Sequence, residues 1–342
     1  MTTRLPVRSA GGRLRVGIIG AGDISQYHLA AWRKLPQVDV VAVCDIDLAR
    51  AEARAAAFGV PRFYDHASTL FEREALDAID IATWRETHCE IAQMAASHGV
   101  HILCQKPLAP TLDEARALAA EVSGRVRLMV HENRRFAPHF RLIRRWIDEQ
   151  RVGEIRQCVL TMHRAGFIKG ADGLRPAVVR APFMARERRL MIAETLIHQL
   201  DVLRYLLGPL AMVAARTLRT EPDMPGETLA TLLLETPAGA PITVAGSFVA
   251  PGFGTAVSDR LEIIGARSSV VLDEHGLEIK GGYSERAPVD FKAAYQACFD
   301  AGMAHFVTKL TSGEPFETEA ADNLETLTLV EDAYRLAARQ AR

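Results

Sequence analysis

Near its start the chain runs Arg15-Val-Gly-Ile-Ile-Gly20-Ala-Gly22-Asp-Ile-Ser25, an apolar stretch that breaks into closely spaced glycines before helix-like sequence. That order predicts the first strand, turn and helix of a dinucleotide-binding fold. Gly20 makes the tight turn and Gly22 lets backbone N–H groups approach a pyrophosphate, while the following helix turns its positive end towards those phosphates. Ser25 stands where a third glycine is often found, and so small a residue still allows close packing of helix on strand. Glycine turns after apolar strands are also common structural punctuation, so the neighbouring sequence decides the reading. Leu29-Ala-Ala-Trp32 continues an amphipathic helix, Pro36 ends it, and residues 38–44 read as a buried second strand closed by Asp45. The Asp45 carboxylate lies a little over twenty residues past the glycines, where it either accepts from adenosine ribose hydroxyls or caps a helix opening near Asp47.

With 342 residues the chain can bury two cores of ordinary size. From Leu14 to about Val130 short apolar strands alternate with alanine-rich helical segments, the pattern of an α/β doubly wound parallel sheet. Its strands are expected at residues 15–19, 38–44, 78–82, 101–104 and 127–130, and Thr111-Leu-Asp-Glu114 has the form of a capping box opening the last helix. After His131 come a helix near residues 138–149, a strand after Gly153-Glu-Ile155, a basic irregular stretch from Arg164 to Arg189, and a long helix through Tyr205. Strand-like runs at 212–218, 228–234, 242–248, 261–264 and 269–272 then argue for an open, mainly antiparallel sheet, followed by a helix over 319–339. The expected division is a disordered lead over 1–12, a Rossmann domain over 13–132, and an α+β domain for substrate binding and oligomerisation over 133–342.

Charge excludes some partners. Lysine and arginine number 41 against 42 aspartates and glutamates, which gives no reason to expect nucleic acid or an anionic membrane surface. The most apolar helical stretch, 190–210, carries Glu194, His198, Asp201 and Arg204, too many ionisable groups for a bilayer span. Residues 1–12 lack the apolar core of a secretory signal. Cys44, Cys89, Cys104, Cys158 and Cys298 show no Cys-x-x-Cys spacing, so reduced thiols in a cytoplasmic protein are expected, with no metal site.

A second chemical feature follows the 101–104 strand: Gln105-Lys106-Pro107, a lysine on the edge where open α/β sheets bind ligands. Its ammonium can stabilise an alkoxide or exchange a proton, unless it is an ordinary turn lysine. Further on, Glu194 and His198 stand four apart, a spacing that puts both on one helix face. Without further information they pack structurally as readily as they serve a site.

Taken in order, several features are those of a family: Gly20-Ala-Gly22, strand-end Asp45, Thr87-His88 leading to Gly99-Val-His101, and Gln105-Lys106-Pro107. So are Glu132-Asn-Arg-Arg-Phe136, Gly153-Glu-Ile155 and Glu194-x-x-x-His198-x-x-Asp201. The chain resembles the Gfo/Idh/MocA family of NAD(P)-dependent oxidoreductases, named for glucose–fructose oxidoreductase and inositol dehydrogenase. The resemblance implies cofactor contacts from Gly20, Ala21, Gly22, Asp23, Ile24, Asp45, Arg50, Thr83, Trp84, His88, Gln105, Lys106 and Asn133, with NAD expected ahead of NADP. It implies catalysis by Lys106 and His198 with Glu194, and substrate contacts from Lys106, Arg134, Arg135, His163, Arg164, Glu194 and His198. One of the two arginines at 134 and 135 is expected to be structural. Two departures stand out: the family's Glu-Lys-Pro triplet has Gln105 in place of glutamate, and its Asp-x-x-x-His motif has Glu194 in place of aspartate.

The function implied is hydride transfer between NAD and a hydroxyl or carbonyl carbon of a sugar, sugar acid or cyclitol, by a homodimer or homotetramer. The basic stretch holding Arg164, Lys169, Arg175, Arg180, Arg186, Arg188 and Arg189 either cradles an anionic substrate group or is a solvated loop or subunit contact. Two rivals remain: a glycoside-cleaving enzyme that oxidises its sugar transiently, and a non-catalytic NAD(P)-binding sensor. A dehydrogenase accumulates NADH, a glycosidase releases sugar without net NADH, and a sensor does neither.

Overall fold

The apolar run before the glycines forms strand β1 (Leu14–Ile19), and the computed structural model describes residues 12–255 and 259–340. Residues 1–11 of the expected lead lie outside the described residues. Next come β2 (Val38–Cys44), β3 (Arg62–Tyr64), β4 (Ala78–Ile81), β5 (His101–Gln105) and β6 (Leu128–His131). They make one parallel sheet in the order β3-β2-β1-β4-β5-β6. The chain reverses its direction of travel between β1 and β4, which puts the ligand crevice of such a sheet at their carboxyl ends. β4 is buried along its whole length, as a central parallel strand covered on both faces should be. Ile18, Ala21, Leu29, Val43, Ala51, Ala55 and Ala82 form one apolar cluster beneath the glycine turn. The short edge strand β3 carried no legible signal, being mostly exposed and only three residues long.

Local chemistry sets the helix ends. Asp47, not Asp45, caps helix Leu48–Phe58, accepting from the Ala49 and Arg50 N–H groups at 3.2 and 3.4 Å. The capping box at Thr111 and Glu114 is present and opens helix Leu112–Val122.

The second sheet holds β7 (Ile155–His163), β8 (Ala211–Leu218), β9 (Leu229–Glu235), β10 (Pro241–Ser247), β11 (Asp259–Gly265), β12 (Ser268–Asp273), β13 (Gly276–Gly281) and β14 (Glu285–Ala287). Their order is β14-β13-β12-β11-β7-β10-β9-β8, antiparallel except where β10 runs beside β7. β13, β14 and helix Phe291–Ser312 are elements that the sequence reading left unassigned.

Two compact units emerge, and they do not follow a single cut in the chain. The first holds residues up to Phe136 together with Gln296–Glu325, and the second holds Ala137–Tyr295 with the residues from Thr326 onward. The linear division at 132 missed this return. Among the contacts that hold the returning segment, Val130 N–H donates to Thr318 O at 2.8 Å and the Thr318 hydroxyl donates back to Val130 O at 2.6 Å. The edge of β6 is thereby covered by a distant segment instead of lying open. Among the described residues no helix is long and apolar enough to cross a membrane.

The two turn glycines differ in what they tolerate. Gly20 has φ +107° and a Cβ there would lie 2.4 Å from Ala82 O, whereas a Cβ on Gly22 meets no heavy atom within 4 Å. Thermal melts should therefore show Gly20→Val destabilised by about 3 kcal/mol or more and Gly22→Val almost unchanged. Equal melting temperatures would contradict this reading of the turn.

Candidate active site

The first unit gathers its sequence-marked residues along the carboxyl edge of the parallel sheet. Gly20 closes β1 by donating its N–H to Cys44 O at 2.7 Å, and Ser25, fully buried, donates its hydroxyl to Gly22 O at 2.7 Å. Helix Ser25–Trp32 has no acidic residue in its first turn and no side-chain cap on its N–H groups, which suits an anion. The Asp23 carboxylate takes the Gln26 amide at 2.6 Å, and Ile24 stands at the helix N-cap position. The Asp45 carboxylate accepts from Ala21 N–H at 2.7 Å and Asp47 N–H at 3.0 Å, which fixes it beside the turn with lone pairs remaining for further donors. Arg50 pairs with Asp47 at 3.3 Å, while Arg54, unmarked in the sequence, donates to Gly22 O at 3.1 Å.

After β4 the chain turns through Thr83 and the exposed Trp84 into a short 3-10 segment, where Arg85 meets Glu86 at 3.1 Å. The Thr87 hydroxyl reaches that of Thr83 at 2.8 Å. His88 is fully buried, its ring nitrogens 2.9 Å from Pro107 O and 3.2 Å from Thr83 O. Burial lowers its pKa, and the ring ties the loop after β4 to the loop after β5. Lys106 stands in that second loop, partly exposed between Gln105 and the buried Pro107. The Gln105 side chain turns inward, its amide nitrogen 2.6 Å from His28 Nε2 and 3.0 Å from His131 Nδ1.

Beyond β6, buried Asn133 donates to Cys298 Sγ at 3.1 Å and Arg134 is partly exposed. Arg135 is buried and donates to Asp322 at 2.7 Å and to Glu317 O at 3.0 Å. These side-chain bonds tie it into the fold, in keeping with the expectation that one of the two arginines serves structure.

In the second unit, Met191–Leu196 forms a π-helical turn that runs into α-helix Ile197–Leu207, so the expected single α-helix is corrected at its start. From Leu190 to Leu203 every residue is buried except Glu194 and His198. These two are therefore the partly exposed residues of an otherwise buried segment. Glu227 fixes the start of the turn, accepting from the Leu190 and Ile192 N–H groups at 3.1 Å each and from the Tyr334 hydroxyl. Asp201, third in the motif, is buried, and the Thr326 hydroxyl donates to it at 3.3 Å. His163, at the end of β7, is partly exposed and packs edge-on to Phe253 with ring centroids 5.1 Å apart.

The basic stretch is opposed by acids that lie far away in sequence. Arg164 is buried against Asp259 at 3.2 Å, and the second oxygen of that carboxylate takes the Gln199 amide at 2.7 Å. Arg175 is buried against Glu221 and, at 2.6 Å, Asp223. Lys169 also meets Asp223, at 3.0 Å, and Arg189 meets Glu331 at 2.8 Å. Arg164 is thus tied into the fold's own charge balance, while Arg180, Arg186 and Arg188 stay exposed.

Sequence reasoning passed over Glu132 as a site residue. It is fully buried, and burial pushes its carboxyl from the usual 4.5 up to about 7, against the pull of Lys106 and Arg135. An acidic residue inside the His131–Phe136 run was the available signal, since a carboxyl held near neutrality beside a lysine marks candidate sites. The raised folded pKa gives a stability contribution that is complete below pH 4.5 and lost as pH climbs through about 7. Relative to Glu132→Gln, the wild-type chain should lose roughly 3 kcal/mol over that interval in denaturant melts. A stability difference that stays flat with pH would contradict the assignment.

Comparison with known proteins agrees with this geometry. A family model described as "Oxidoreductase family, NAD-binding Rossmann fold" matches residues 14–132, and one for the GFO/IDH/MocA C-terminal domain matches 140–271. The chain is 34% identical to D-apiose dehydrogenase of Paraburkholderia graminis, over 96% of this chain and 89% of that protein. It is 28% identical to inositol 2-dehydrogenase of Rhizobium meliloti, over 96% and 98%. An oxidoreductase from Agrobacterium radiobacter, solved in complex with NAD+, L-tartaric acid and magnesium, superposes with a TM-score of 0.89 at 30% identity, over 96% of this chain and 97% of that one. The shaped glycine turn, the fixed Asp45 and these full-length likenesses identify the chain as a member of the Gfo/Idh/MocA family of NAD-dependent oxidoreductases.

Proposed function

We propose that this protein oxidises a hydroxyl carbon of a sugar, sugar acid or cyclitol, with Lys106, His198 and Glu194 carrying the chemistry. The observation that carries the reading is Lys106 at the carboxyl edge of β5, in the sheet whose β1 turn is shaped for a dinucleotide. Relatives named for apiose and inositol support a polyhydroxylated substrate. The residues present fit NAD: Gly22 leaves open space where the pyrophosphate would lie, and Asp45 offers a fixed acceptor for the ribose hydroxyls. Bound NAD supplies the hydride acceptor.

The protein's own groups handle the proton and the charge. His198, as neutral imidazole, takes the hydroxyl proton. Glu194, four residues earlier, orients the ring and favours the imidazolium that results. The Lys106 ammonium stabilises the developing alkoxide, and Arg134 and His163 contact substrate hydroxyls. Exposed Val213, Leu218 and Leu233 on β8 and β9 support self-association through the open sheet, which sedimentation velocity tests. Five free cysteines, four of them buried, fit a cytoplasmic location, which cell fractionation tests.

Because a 2′-phosphate would meet the Asp45 carboxylate while Arg50 is paired with Asp47, NADH should bind about tenfold or more tighter than NADPH in fluorescence titration. Tighter NADPH binding would remove Asp45 from this role. Lys106→Ala and His198→Ala should each lower kcat by about a hundredfold or more while NAD binding is kept. The double variant should lose far less than the product of the two, because groups serving one step are not additive. Wild-type turnover in both single variants would place the chemistry elsewhere.

A further inference from the structure

Gln105 departs from the family's glutamate, and its surroundings account for the exchange. Lys106 N–H donates to Gln105 Oε1 at 3.3 Å, which fixes the two ends of the amide. The NH2 end then faces two imidazole nitrogens, His28 Nε2 at 2.6 Å and His131 Nδ1 at 3.0 Å. An amide nitrogen carries two hydrogens, so both ring nitrogens act as acceptors and neither bears a proton. His28 must then carry its proton on Nδ1, which donates to Asp80 at 2.8 Å. Asp80 also takes the Trp32 indole N–H at 2.7 Å. His28, His131 and Asp80 are fully buried, as is Trp32 to within 1%. The result is a donor chain from Gln105 through neutral His28 to one carboxylate that holds two donors, with His131 as the second acceptor of the amide.

We infer that Gln105 is a positioning residue: it holds the Lys106 backbone through Oε1 while its NH2 locks His28 and His131 as neutral acceptors, an arrangement that a carboxylate cannot make. Glutamate at 105 would turn lone pairs towards both ring nitrogens, and a buried acceptor facing an acceptor is costly unless a proton is added to one ring. The amide therefore matches a pocket of neutral imidazoles, and the two departures from charge, at 105 and in the rings, are one feature. This rests on the reading of Lys106 as a catalytic group.

The test uses the full chain labelled with 15N in histidine, with His28→Gln and His131→Gln spectra for assignment. At neutral pH, nitrogen–proton correlation spectra should show His28 protonated on Nδ1 alone and His131 on Nε2 alone. A charged ring at either position, or the opposite tautomer, overturns the inference. In kinetics, Gln105→Leu should lower kcat by on the order of tenfold or more with the NADH Kd nearly unchanged. Gln105→Glu keeps the acceptor for Lys106 and should retain more turnover than Gln105→Leu, with His28 or His131 becoming charged in the same spectra. Wild-type kcat in Gln105→Leu, or two neutral rings in Gln105→Glu, overturns it. Wild-type turnover in Lys106→Ala overturns the positioning role by removing its object, and is told apart because the wild-type tautomers report on Gln105 alone.

Discussion

The close approach of Gly20 to the backbone at Ala82 is the constraint on which the rest of the nucleotide-binding unit depends. Only a residue without a Cβ, at φ +107°, lets the end of β1 pass so near the end of β4. That contact aims the Ser25–Trp32 helix at the turn and lets Asp45 reach across from β2 to Ala21 N–H. It also sets the direction of the loops after β4 and β5, which His88 then joins through the carbonyls of Thr83 and Pro107. Lys106 stands in the second of these loops, next to the Pro107 whose carbonyl His88 holds.

The second unit solves a different problem, which is to show two polar side chains from a buried segment. A π-helical turn has uncommon hydrogen bonding and needs outside support at its start. Glu227 gives that support by accepting two backbone N–H groups, and Gly226 lets it come close, since a Cβ there would lie 2.5 Å from Glu187 O. Glu194 and His198 are then the residues left facing solvent.

Much of this was legible in sequence where the signal is local. The β1 turn, the capping box at Thr111 and five of the six strands of the parallel sheet, all but β3, follow from residue type and period over a few positions. What was not legible depends on partners far apart along the chain. Asp80 and His28 are 52 residues apart, and Arg164 and Asp259 are 95 apart, so neither pairing shows in composition or spacing. The basic stretch accordingly left an anion cradle and a solvated loop or subunit contact both open, because the acids that meet Arg164, Arg175, Lys169 and Arg189, namely Asp259, Glu221, Asp223 and Glu331, lie far away in sequence. The π turn was hidden because its residues are nearly all apolar and suit an α-helix equally well. The return of Gln296–Glu325 to the first unit rests on scattered contacts, among them those of Val130, Asn133 and Arg135, that no periodicity announces.

The central claim, hydride transfer to NAD from a hydroxyl-bearing carbon of a polyhydroxylated substrate, is tested most directly by the fate of a labelled hydrogen. A sugar or cyclitol that turns over would be supplied with deuterium on the carbon being oxidised, and the NADH formed would be examined by mass spectrometry. The account predicts one deuterium in each NADH and an equal amount of carbonyl product. Loss of the label to solvent, or product formed without net NADH, would contradict it.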